Sequence, residues 1–300
     1  MVANIFRKTN FMALLLGGLF CFSIFICTHF NKGQFFSIET FLSSATNALI
    51  LIFLLFLLLL LENKYRHFSI RSLHSLSLPL VVMFLPSKTI EFMDLLILFL
   101  LVLTFHNLAL LKEAKNTKRA LFNTQFLLST ITVLNPIFLP LFLCSLLIFI
   151  SPRFQTFSYV LLFLFPIATL LFLGITIKEF ISPNFFDEAQ QKFSFSEPTF
   201  SIDVILWIVL IGATFFMQFT NRLKERFMGF GIANYFLFFL VIIALFSELY
   251  LSNNKLNFST LSILPICYVM GNFFEQSKNN SINIISLLMI AIKSATFIWF

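Results

Sequence analysis

Uncharged apolar stretches run through this chain from one end to the other, and they restrict its fold more than any motif does. They cover 9–31, 40–61, 72–87, 95–111, 120–152, 154–177, 204–221, 227–247, 256–274 and 279–300, the last interrupted by Lys293. A helix needs about 20 apolar residues to cross roughly 30 Å of hydrocarbon. In lipid, only helices and closed barrels satisfy every backbone polar group. Repetition at helical length predicts an all-α chain. It would be a polytopic transmembrane bundle of ten or eleven segments forming a single integral membrane domain over 1–300. The stretch 72–87 is marginal, being short and ending at Pro86.

Composition agrees. Apolar residues make up 59% and charged residues 11% of the chain, where a soluble domain carries about a quarter charged. The mean hydropathy is +0.96. These values argue against a secreted disulfide scaffold, a disordered tail and a free cytosolic enzyme. Cys21, Cys27, Cys144 and Cys267 lie inside apolar runs without a C-x-x-C spacing, and the four histidines show no ligand spacing. Neither a metal nor a cofactor is expected. The net charge of +7 reads as cationic cytoplasmic loops rather than a nucleic-acid surface. The run after Arg7 and Lys8 is too long for a cleaved signal and reads as a retained first span.

The stretch 120–152 decides the topology. Its 33 residues would make a helix about 50 Å long. Asn135-Pro136 lies near its middle, and Asn-Pro is a turn dipeptide. The reading is two arms, 121–134 and 137–150, as two short spans or a re-entrant hairpin. With that reversal, 14 of the 20 basic residues fall on the cytoplasmic side, Arg222, Lys224 and Arg226 among them. The N-terminus is then inside and the C-terminus outside. The longest loop, 180–200, mixes phenylalanines with acids and reads as an outer interfacial segment.

Ionisable groups inside lipid are functional candidates. Asp94, Asp203 and Glu248 fall at outer span ends, where water would reach them, which disfavours an ion-coupled pump. Lys293 lies about 10 Å below its helix end. With Ser294 and Lys178 it is a candidate clamp on a lipid phosphate, weighed against plain snorkelling. Asn135, at the hairpin tip, is a further candidate substrate contact. Glu39, alone in the first outer loop, is a candidate catalytic base. His106-Asn107, Asn47 and Gln218 read as interhelical hydrogen-bonding groups. Gly229 and Gly231 read as a turn.

The opening MVANIFRKTNFMALLLGGLF and the block NLALLKEAKNTKRALFNTQFLLSTITVLNPIFLPLFLCSLLIFISPRF resemble an uncharacterised family of multi-spanning bacterial inner-membrane proteins. That resemblance implies the bacterial cytoplasmic membrane and no particular activity. The basic loop, short arm, proline and second arm over 112–150 are also similar to a segment of the GT-C glycosyltransferases, which use polyprenyl-phosphate sugars. Glu39 matches the position where those enzymes usually carry Asp, and their large outer domain is absent. Three functions follow as expectations. The first is handling of a lipid-linked sugar or envelope lipid at the outer leaflet, as an enzyme or an inactive relative. The second is a non-catalytic subunit bound to a membrane protein partner. The third is transport of a neutral or apolar solute.

Overall fold

The computed structural model describes residues 10–31, 38–65, 74–85, 92–111, 117–150, 154–180, 201–224, 232–250 and 258–299. Every regular element among them is helical, which confirms the all-α class. The chain divides into two compact units that interleave along the sequence. One comprises 1–90, 200–227 and 263–300; the other comprises 91–199 and 228–262. Counting described residues only, no helix is long and apolar enough to cross a membrane. Any reading as a bilayer protein therefore rests on where side chains point, not on uninterrupted length.

The first unit holds α1 (Asn10–Asn31), α2 (Ile38–Tyr65), α3 (His74–Met83), α8 (Ile202–Lys224), α11 (Ile263–Gln276) and α12 (Asn279–Trp299). Leu-, Ile- and Phe-rich runs without proline account for α1 and α2, with Gly17 and Gly18 tolerated inside α1. They pack along each other, close enough that a Cβ on Gly18 would overlap Ile52 Cδ1. The rings of Phe22 and Phe41 meet edge-on, with centroids 5.3 Å apart. At 10 residues, or about 15 Å, α3 is as short as its sequence implies. Every residue from 76 to 82 in it is buried. A helix that is apolar on all sides must be surrounded, and α3 is flanked by α1, α11 and α12. Ser77 Oγ donates to the Cys267 carbonyl at 3.1 Å, tying α3 to α11.

The second unit holds α4 (Phe92–Leu110), α5 (Thr117–Leu134), α6 (Leu139–Cys144), α7 (Phe157–Phe180), α9 (Ile232–Tyr250) and α10 (Phe258–Leu261). Asn123 Nδ2 donates to Asn107 Oδ1 at 3.4 Å, so Asn107 does link neighbouring helices, here α4 and α5. The hydroxyls of Thr117 and Tyr159 lie 3.0 Å apart and join α5 to α7.

The chain reverses where Asn-Pro stands. After α5 comes a 3-10 turn, Pro136–Phe138, then α6, then a second 3-10 stretch, Ser145–Ile150. The second arm is thus not one α-helix. Asn135 shapes the turn: its side-chain Oδ1 accepts the Ile137 N–H at 3.0 Å and its carbonyl accepts the Phe138 N–H at 3.2 Å. Ser145 Oγ donates across the hairpin to Gln125 Oε1 at 3.3 Å. Those two residues stand equally far from Asn135 along the chain, as a hairpin folded at that point requires. Gln125 is fully buried, and its Nε2 has no partner among the described residues. Leaving a buried donor unmet costs about 1–3 kcal/mol. Gln125→Leu is therefore expected to leave the thermal midpoint unchanged or slightly raised. A loss above about 2 kcal/mol would show instead that the amide pins the hairpin.

One reading needs correction. The stretch 256–274 is not a single segment. It divides at Ser262 into α10 and α11, which belong to different units. Pro265 supplies a reason: it has no N–H for the carbonyl four residues back, and it is tolerated only in the first turn of the helix that follows. Ser262 Oγ donates to the Ser259 carbonyl at 2.6 Å at the break.

Candidate functional site

In the first unit, α1, α3 and α12 wall a cavity of about 490 Å³, within the roughly 300–1,000 Å³ range of small-molecule pockets. Phe20, Leu80 and Ile290 supply much of an almost wholly apolar lining. Its polar side chains include Ser286, Lys293 and Ser294. On α12, residues 286, 290, 293 and 294 recur at helical spacing and share one face. That placement explains why one helix carries both the polar and the apolar parts of the wall. Pro79 inside α3 also lines the cavity.

Lys293 Nζ pairs with Asp203 Oδ1 at 2.5 Å. Asp203 is in the first turn of α8, where the helix dipole favours an acid. The pair therefore connects α8 to α12. The lysine side chain is 15% exposed and the aspartate 31%. Ser286, by contrast, is 3% exposed, and its Oγ has no hydrogen-bond partner among the described residues.

The structure brings together only part of the expected site. Lys293 and Ser294 line the cavity, as a shared role requires. Asn135 does not line it; its side chain holds its own turn in the other unit. Glu39 stands near the start of α2, and Lys178 near the end of α7, with both side chains outside the described residues. Residues 181–200, most of the interfacial loop, also lie outside them. Sequence reasoning missed Ser286 and the partnership of Asp203 with Lys293. A signal for each existed. Asp203 falls at an outer span end and Lys293 close to the outer side, and Ser286 precedes Lys293 by two helical turns.

A second correction concerns the acids of the other unit. Asp94 and Glu248 are not water-accessible: they are 1% and 3% exposed. α10 packs on both α4 and α9, the helices that carry them. Its Ser259 N–H donates to Glu248 Oε2 at 3.3 Å. The access of water to these carboxylates thus no longer argues against ion coupling. Among the described residues, no cluster of three or more His, Cys, Asp or Glu side chains could hold a metal ion.

No family model, curated protein or solved structure matches the chain.

Proposed function

We propose that the protein is an integral membrane protein of the bacterial cytoplasmic membrane that holds an anionic envelope lipid in the α1–α3–α12 cavity, at the outer leaflet. The observation that carries the reading is the cavity itself, an apolar chamber whose one lining cation shares a helix face with two serines. That pattern suits an amphiphile: apolar walls take a hydrocarbon chain, and Lys293 with Ser294 takes an anionic head. No carboxylate lines the chamber among the described residues, so the role is one of binding rather than general acid–base chemistry.

The bilayer setting is supported by an inside-out distribution of side chains. Phe165, Phe172, Val209 and Leu288 point outward, each more than half exposed. Inside lie Ser44, Ser77, Thr124, Gln125, Ser129 and Ser145, all buried. A water-facing helix carries its charges on the outer face, and large exposed apolar patches mark membrane or partner surfaces. Hydroxyls on these helices also turn back on their own backbone: Ser23 donates to the Leu19 carbonyl and Thr169 to that of Phe165. In hydrocarbon that is how a hydroxyl is satisfied without water.

Two measurements test the reading. After an alkaline carbonate wash of expressing cells, the chain is expected to stay with the membrane pellet; release into the supernatant would refute the bilayer assignment. Mass spectrometry of protein purified in mild detergent is expected to find a co-purifying anionic lipid that Lys293→Gln loses. Equal lipid content in that variant would refute the cavity as its site.

A further inference from the structure

We infer that the lipid in this cavity is an acyl lipid bearing both a phosphate-class anion and an ester carbonyl, recognised by Lys293 and Ser286 respectively, rather than an isoprenoid phosphate. The inference rests on the proposed lipid site and narrows its ligand class.

Ser286 is the deciding residue. Its hydroxyl is buried, lines the cavity and has no partner among the described residues. Several other buried helical hydroxyls find one, although the Ser247 hydroxyl of α9, which does not line the cavity, finds none among the described residues. Thr104, Thr124 and Ser129 each donate to the carbonyl four residues earlier, at 2.7–2.8 Å. Ser286 has the Ile282 carbonyl at the same offset and does not use it. A buried hydroxyl left unmet is costly, and an acceptor brought by a ligand removes that cost. An isoprenoid tail is hydrocarbon throughout and offers none. An ester carbonyl does.

The spacing agrees. Ser286 and Lys293 stand two turns apart on one face of α12, about 10 Å along its axis. The Lys293 ammonium is held at Asp203 Oδ1 at 2.5 Å, and Lys293 lines the same cavity as Ser286. A phosphate and an ester carbonyl joined through a glycerol backbone bridge a gap of this kind. Phe20, Leu80 and Ile290 supply apolar wall for the acyl chain. The whole volume equals roughly sixteen water-sized units, the scale of one acyl chain.

The test compares two probes on the purified full chain in detergent: oleoyl lysophosphatidic acid and its ether-linked analogue, which lacks only the carbonyl oxygen. Wild type is expected to bind the acyl form about tenfold more tightly, the size of one hydrogen bond. Ser286→Ala should erase that preference by weakening the acyl form alone. Equal binding of the two probes by wild type would overturn the inference and leave the lipid site standing, as would a preference that survives in Ser286→Ala. If neither probe binds and Lys293→Gln changes nothing, the lipid site itself fails, and the inference with it. Farnesyl phosphate, binding wild type more tightly than the acyl probe, would also overturn it.

Discussion

Asp203→Leu and Lys293→Met are each expected to destabilise the protein, while the double substitution recovers most of the loss. The ion pair is held at the edge of an apolar cavity, with the lysine only 15% exposed. Removing one partner strands a charge in surroundings that solvate it poorly. For a fully buried pair that costs about 3–5 kcal/mol. Here Asp203 keeps 31% exposure, so about 1–3 kcal/mol is a fitting range. Asp203→Leu should be the more damaging, since it takes the carboxylate from the more buried of the two charges. Two apolar side chains of similar volume in place of the pair are often neutral. Thermal unfolding of the three variants in detergent measures this. Additive losses in the double variant would mean that the pair makes no net coupling. The same residues should act in opposite directions on binding of an anionic lipid. Asp203→Asn removes a competing carboxylate and should raise affinity severalfold. Lys293→Met should lower it by about tenfold or more, the worth of a charge-assisted hydrogen bond.

Gly18→Leu is expected to disrupt the first unit at the α1–α2 contact. A Cβ at Gly18 would overlap Ile52 Cδ1 and lie 2.7 Å from Cγ1. The isoleucine can swing its terminal methyl aside, but its branched Cβ is stiff in a helix. A single methyl at Gly18 should therefore cost about 1–3 kcal/mol, and a leucine more. Close approach through small residues is a common way for helices to pack in membranes, where lipid supplies no hydrophobic drive for association. Ile52→Ala should restore most of the stability to Gly18→Ala, though little to Gly18→Leu. The readout is detergent-resistant folding of each variant on size exclusion. Wild-type behaviour of Gly18→Leu would mean that α1 and α2 can separate freely there.

Much of the architecture was legible in the residues. Asn135-Pro136 marked the reversal because the chemistry of a turn is local. The shortness of α3 was visible because Pro86 and the charges nearby bound it. Asn107 was legible as interhelical because a polar group on an apolar helix has few other partners. What stayed hidden depended on tertiary contact. The division at Ser262 has no glycine, and Pro265 stands inside the following helix rather than at the break. Missing α10 meant missing the backbone N–H of Ser259 that meets the buried Glu248. The cavity was half legible: Lys293 and Ser294 announced themselves as polar residues in a charge-poor stretch. Ser286 looked like any helical serine, and its buried, unpartnered hydroxyl on the cavity wall shows only in the structure.

The interleaving of the two units has a consequence for biosynthesis. The cavity draws its walls from α1, α3 and α12, and α12 leaves the ribosome after every other helix named above. Until then the apolar lining that α1 and α3 supply lacks Lys293, the cation among the described lining residues. On the proposed lipid site, selection by headgroup charge would begin only once translation has passed Lys293. A nascent chain stalled before Asn279 should be blind to headgroup charge.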